Sequence, residues 1–192
     1  VAKNFRNEGL SRKHNPEFTL LEFYMAYADY NDLMGLTEEL FQFLAQEILG
    51  TTALEYQGRK IDLSPPWPRY SYYQALVEIG GVPADILKDD GRAQEYAASI
   101  ETLWAGDRYK LLEQLFDDMV EPKLVQPTFI KDYPVQLSPL SKTKEDDKSL
   151  VERFELYVGG WELVNAYTEL NDPQEQEERF REQVRKRDQG DL

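Results

Sequence analysis

Cysteine is absent, which excludes disulfides and thiolate metal sites. Histidine occurs once, as His14, so a multi-histidine zinc centre is excluded too. No apolar run reaches the roughly 20 residues that a bilayer-spanning helix needs. The first residues do not read as a charged-then-apolar signal segment, so a cytoplasmic setting without membrane contact is expected. Basic residues are outnumbered, 22 Lys and Arg against 36 Asp and Glu, for a net charge of −14. A surface this acidic repels phosphate backbones on average, which argues against a dedicated nucleic-acid-binding domain.

What is present suits an ordinary globular chain. The 192 residues are 41% hydrophobic and 30% charged, enough for one domain with a substantial core. Val1 stands where a methionine would start a chain, and Leu192 follows a charged helix without a closing element. A fragment of a longer protein is therefore expected.

The pattern along the chain alternates strands and helices. Residues 1–8 read as a strand, 9–17 as a polar loop and 18–28 as an aromatic-rich second strand, an antiparallel pair. Asn31 or Asp32 can cap a helix that ends at Gly50, with an apolar stripe of Leu36, Leu40, Phe43, Leu44 and Ile48. A small hairpin over 52–63 turns near Gln57 and Gly58, and Ser64 to Pro68 is a connector. Helices are expected at 71–79, 91–105 and 107–120, the last stopped by Pro122. Strands follow at 125–131 and 152–158, around a polar, mobile segment from Ser141 to Lys148. Gly159-Gly160 turns the chain into a strand over 162–170. Asp172 caps a final charged helix with Pro173 at its first position. The order implies an α+β fold, an antiparallel sheet with flanking and inserted helices.

Alternation along a strand sorts side chains by face. Arg6 and Glu8 share one face. So do Phe18, Leu20, Glu22 and Tyr24, and likewise Asn165, Tyr167 and Glu169. If these strands are neighbours, one side of the sheet carries charges, aromatics and an amide, which suits a cleft rather than a core. Singly, each residue has a bland reading. An Arg-x-Glu pair on a strand is usually a surface ion pair, and Phe18 or Tyr167 alone is usually a core aromatic. A histidine in a polar loop is usually solvated. Glu22 is less ordinary, because an unpaired carboxylate in an apolar strand is costly.

The run NFRNEGLSRKHNPEFTLLEFYMAYADYNDL resembles motif 2 of the class II lysyl-tRNA synthetases. QPTFIKDYPVQLSPL and RFELYVGGWELVNAYTELNDPQEQEERF resemble that family's later strands. The Phe-Arg-x-Glu core marks the class; Glu22 with Tyr24 and the Asn-Ala-Tyr-Thr-Glu-Leu-Asn-Asp run narrow it to the lysine branch. The resemblance implies residues 1–192 of a partial catalytic domain: motif 2 strands over 1–30, a helical insertion over about 64–122, active-site strands over 123–170 and a charged helix over 172–188.

The resemblance also implies roles. Arg6 bridges the lysine carboxylate and the α-phosphate of ATP, as the catalytic residue. Glu8 accepts from the adenine amino group, Phe18 stacks on adenine, and Lys13 and His14 meet the outer phosphates. Glu22 and Glu169 hold the lysine ammonium with Tyr24 alongside, Tyr167 lies on the methylenes, and Asn165 holds the carboxylate end. Glu155 and Glu162 coordinate magnesium, Glu162 also serving the ATP site. Implied partners are lysine, ATP and tRNA(Lys), in a homodimeric full-length enzyme whose tRNA contacts lie mostly outside so acidic a chain. Lysyl-adenylate formation followed by transfer to tRNA is the implied reaction, and the fragment alone is expected to be inactive.

This sequence departs from the family at Trp161, Val164 and Lys13, the last where an arginine is common. Glu162 has the wrong parity to share a face with Asn165 on a regular strand, so metal binding there requires a bulge near Leu163. The closest rival is the short paralogue that lysylates an elongation factor. A non-catalytic synthetase-like module is a second rival. An aspartate or asparagine enzyme fits less well, since Glu22 and Glu169 suit a cation.

Overall fold

The computed structural model describes residues 1–7, 14–104 and 106–188. Strands β1 (Ala2–Phe5) and β2 (Glu17–Leu20) form an antiparallel ladder, and helix α1 (Tyr30–Leu49) follows. Hairpin strands β3 (Ala53–Tyr56) and β4 (Arg59–Asp62) lead to β5 (Arg69–Ser71). Helices α2 (Tyr72–Ala75, continued by a π-turn over Leu76–Gly80), α3 (Asp90–Ser99) and α4 (Arg108–Met119) come next. Strands β6 (Thr128–Pro134), β7 (Leu150–Val158) and β8 (Trp161–Tyr167) precede the last helix, α5 (Pro173–Asp188). The main sheet has the order β5-β6-β7-β8, antiparallel except for the parallel β5–β6 pair. The fold is α+β.

Burial on both sides of β7 explains its near-continuous apolar character. Phe154, Leu156 and Val158 face one core with Tyr30, Met34, Ile61, Trp67 and Phe129, under α1 and the β3–β4 hairpin. Val151 and Tyr157 join a second core with Tyr72, Leu76, Leu112, Phe116, Ile130 and Tyr133, under the helical segment. Between Val151 and Tyr157 on that second face stand two charged residues, Arg153 and Glu155, at the same period of two. Where the helices stop covering the sheet, its face becomes polar. Gly159 and Gly160 both have positive φ, which a tight β7–β8 turn requires and glycine adopts without strain.

Several elements differ from the sequence reading. Strand β2 ends at Leu20, so Glu22 and Tyr24 lie beyond it and strand alternation does not place them. The β1–β2 ladder is separate from the main sheet rather than joined to β8. Helix α1 is capped by Asp29, which accepts from the Asn31 and Asp32 amides while Asp32 accepts in return from Asp29 N–H. Its buried face is Tyr30, Met34, Thr37, Glu38 and Ala45, leaving Phe43 and Ile48 exposed. That rotation follows from Glu38, whose carboxylate accepts from the Trp67 N–H at 2.8 Å and from Arg69 at 3.2 Å. A charged residue with buried partners thus takes a core position that a hydrophobic count assigns elsewhere.

The segment from Ser141 to Lys148, expected to be mobile, is fastened on both sides. Lys142 N–H donates to Thr168 O at 2.8 Å, Glu152 N–H to Lys142 O at 2.9 Å, and Lys144 N–H to Leu150 O at 3.0 Å. Ser141 and Thr143 are buried. Polar composition here reflects backbone pairing along β7 and beyond β8, not solvation. Arg179 of α5 holds the same segment by donating to the carbonyl oxygens of Pro139 at 3.0 Å and Ser141 at 2.7 Å.

Candidate functional site

Strands β7 and β8 set out the floor of the candidate site by register. Glu155 is opposite Asn165, and Arg153 is opposite Tyr167, so all four side chains share one face. Glu155 is only 6% exposed, an expensive position for a carboxylate unless its oxygens are satisfied. They are. Oε2 accepts from the Tyr133 hydroxyl at 2.7 Å and the Tyr157 hydroxyl at 2.5 Å; Oε1 accepts from Arg153 and from Asn165 Nδ2 at 3.3 Å. Burial, with the Glu155 charge next in importance, pushes the Tyr133 and Tyr157 hydroxyls well above the usual tyrosine range, so both remain donors at neutral pH.

Glu162 joins this face through a bulge. Leu156 is opposite Val164 while Tyr157 is opposite Glu162, leaving Leu163 as the extra residue. The slip supplies the parity change that the sequence pattern demanded. Burial first, then repulsion from Glu155, pushes the Glu162 carboxyl from 4.5 up to about 7; Arg153, a hydrogen bond from Asn165 and Arg6 oppose the shift. A carboxyl raised by a neighbouring carboxylate, as Glu162 is, suits a nearby cation. Among the described residues, no group of three or more acidic or histidine side chains forms a cage. With both Glu155 oxygens already engaged, Glu162 is the carboxylate open to magnesium, which would keep waters and phosphate oxygens for most of its shell.

A pH prediction follows from Glu162. A carboxyl raised in the folded state stabilises the fold below its ordinary value of 4.5, and that contribution is lost as pH rises through about 7. The urea midpoint should therefore fall more between pH 5 and pH 8 in the native sequence than in Glu162→Gln. Its exposed edge keeps the effect small. Identical pH profiles for the two proteins would contradict the shift.

The β1–β2 unit supplies the opposite charge. The Arg6 guanidinium lies over the Phe18 ring, 5.3 Å from its centroid, and the Arg6 N–H donates to Pro16 O at 3.0 Å. Arg6 is exposed, Phe18 half-buried and His14 exposed. Arg6 lies near enough to Glu162 to oppose the rise of its carboxyl, although no ladder joins the β1–β2 pair to β8.

A second electrostatic cluster surrounds Tyr167. Burial raises its hydroxyl above 10.0, followed by Glu169, then Tyr24; Arg153 opposes them, and Glu22 adds to the rise. Glu22 and Glu169 therefore both act on Tyr167, although strand alternation cannot explain Glu22. Both carboxylates and Tyr24 are exposed, whereas Tyr167 is half-buried. Glu22 and Glu169 thus add negative charge beside Tyr167, while Arg6 adds positive charge beside Glu162.

Glu8 and Lys13 lie outside the described residues. Arg153, Tyr133 and Tyr157 were missed by the sequence reading. The signal was available for Arg153, which stands two residues before Glu155, the spacing of Arg6 and Glu8. Tyr133 was hidden by a bulge at Asp132, where φ is 58° and the β6–β7 register slips.

Comparison with known proteins adds the following. A family model described as tRNA synthetases class II (D, K and N) matches residues 1–191. The chain is 50% identical to a lysine–tRNA ligase of Pelotomaculum thermopropionicum over 198 aligned positions, covering all of this chain and 38% of that protein. It is 48% identical to a lysine–tRNA ligase of Thermoanaerobacter sp. over 193 positions, covering 39% of that protein. Similarity to a Clostridium botulinum lysine–tRNA ligase is 46% over 199 positions, again 39% of its length. The chain therefore spans about two fifths of the relatives it matches.

Proposed function

Because the chain belongs to the class II tRNA synthetases of the D, K and N group, we propose that it is the central part of the catalytic domain of a lysine–tRNA ligase. What supports this reading is that Glu22 and Glu169 both act on Tyr167, while Arg6 acts on Glu162, which shares a sheet face with Asn165. A substrate with an ammonium group at one end and a carboxylate at the other matches that charge order. An acidic side chain in the same place would meet two carboxylates, so aspartate is disfavoured.

In this reading the lysine ammonium lies between Glu22 and Glu169, with Tyr24 at its side and Tyr167 against the methylenes. Asn165 holds the carboxylate. Arg6 bridges that carboxylate and the α-phosphate, since its planar fork matches both anions. Phe18 carries the adenine ring, Glu8 accepts from its amino group, and Lys13 and His14 meet the outer phosphates. Glu162, with Glu155 behind it, would hold magnesium, whose charge would offset that of the phosphates.

The first step joins a lysine carboxylate oxygen to the α-phosphorus and breaks its bond to the bridging oxygen, releasing pyrophosphate. That carboxylate is already ionised, so no general base is required. Catalysis is orientation plus charge neutralisation. In the second step the terminal ribose of tRNA(Lys) attacks the activated carbonyl and AMP departs. With a net charge of −14, this chain leaves most tRNA contacts, and the homodimer interface, to the rest of the protein.

The test is lysine-dependent ATP–pyrophosphate exchange. The full-length protein should exchange with lysine and not with aspartate or asparagine, and residues 1–192 alone should not exchange. Equal stimulation by aspartate would overturn the amino-acid assignment. Exchange by the isolated segment would overturn the division of labour.

A further inference from the structure

One guanidinium touches every part of the polar floor. Arg153 donates from Nε to Asn165 Oδ1 at 3.2 Å and from Nη2 to Glu155 Oε1. Its Nη1 donates to Leu137 O at 3.0 Å and to Ser138 Oγ at 2.6 Å. The guanidinium also sits 4.7 Å from the Tyr133 ring centroid. The side chain is 17% exposed. Its anchors come from the Val135–Leu137 turn, from β7 and from β8, so the fork is fixed from three elements.

This arrangement decides which end of the Asn165 amide faces the cleft. An amide can present either an acceptor or a donor, and the two are related by a simple flip. Arginine offers donors only, so the group facing Arg153 Nε must be the oxygen. The nitrogen is thereby turned toward Glu155, 3.3 Å away, which takes one of its two hydrogens and leaves the other for a ligand. Without Arg153 the amide could flip and offer its oxygen to a bound carboxylate, a repulsive contact.

We propose that Arg153 is a positioning residue for amino-acid recognition: it locks the Asn165 amide so that Nδ2 donates to the carboxylate of the substrate. The proposal rests on the lysine reading given above. Arg153 touches no substrate itself; it acts through Asn165.

The experiment is calorimetric titration of lysine into the full-length protein without nucleotide, for the native sequence, Arg153→Lys, Asn165→Ala, Arg153→Lys with Asn165→Ala, and Asn165→Asp. A lysine ammonium lacks the planar fork that spans Asn165, Glu155 and the Leu137–Ser138 turn together, so Arg153→Lys should weaken lysine binding about ten-fold. In the Asn165→Ala background the same change should add nothing. Asn165→Asp leaves Arg153 in place and puts an oxygen where Nδ2 stood, so it should bind lysine more weakly than Asn165→Ala. This variant keeps the test sharp even where Arg153→Lys fails to fold. An equal loss from Arg153→Lys with and without Asn165 would overturn the proposal, as would native-like binding by Arg153→Lys or Asn165→Asp. If the native protein binds lysine, such results count against Arg153 alone. If it does not bind, the lysine reading falls and this proposal with it.

Discussion

Replacing Arg6 with alanine is expected to lower the rate of lysyl-adenylate formation by about 10²–10³-fold, the range for losing one preorganised donor at a developing charge. The argument begins with the reaction. Carboxylate and phosphate are both anionic, and bringing them into contact concentrates negative charge at phosphorus. Arg6 is the cation beside the β1–β2 pair whose field reaches Glu162, whereas Lys3 is paired with Glu17. The Phe18 ring beneath the guanidinium restricts its orientation, so little reorganisation is required when the charge develops. Single-turnover kinetics at saturating lysine and ATP separate chemistry from binding. The drop should appear in the chemical step, and Arg6→Lys should recover only part of it, because an ammonium cannot contact two anions through a planar fork. A rate unchanged in Arg6→Ala would remove Arg6 from the mechanism.

The second large effect concerns the opposite end of the cleft. Changing Glu169 to glutamine keeps size and hydrogen-bonding capacity but removes charge. A hydrogen bond to a charged group contributes about 1.5–3 kcal/mol, so lysine affinity should fall roughly 10–100-fold. Glu22→Gln should lower lysine affinity in the same direction, since Glu22 and Glu169 both act on Tyr167. The two carboxylates share one cation, so their effects should not add: once one is gone, the remaining charge matters more. ATP affinity measured without lysine should be unaffected in either variant, since the proposed adenine and phosphate contacts involve neither Glu22 nor Glu169. A matching loss of ATP affinity would indicate a general collapse of the site instead.

The way this site is built explains what could be read beforehand. Glu155 and Asn165 are strand residues at an even spacing from their neighbours, and a period of two places them on a common face. Glu162 could be read only as a contradiction, resolved by the extra residue at Leu163. Glu22 and Tyr24 were assigned to a strand that stops at Leu20; their approach to Tyr167 comes from chain path beyond β2, which no local periodicity encodes. Secondary structure shows the same division. The cap at Gly50, the turn at Gly159-Gly160 and the Pro173 start of α5 follow from local backbone chemistry. The parallel pairing of β5 and the rotation of α1 around Glu38 are tertiary, fixed by partners 60 and 29 positions away, and residues 142 and 144 are held by backbone partners 6 to 26 positions away. Arg153 belongs to the second kind. Its importance lies in joining Leu137, Ser138, Glu155 and Asn165, a convergence visible only once β7 and β8 are paired.

The charge order of the cleft is tested most directly by titrating lysine and norleucine, which has a methyl group where lysine carries its aminomethyl, into the full-length native protein and the Glu22→Gln, Glu169→Gln double variant. The native protein should bind lysine at least about 100-fold more tightly than norleucine, and the double variant should lose most of that preference. Equal affinity for the two amino acids in the native protein, or an undiminished preference in the double variant, would contradict a cationic side chain held by Glu22 and Glu169.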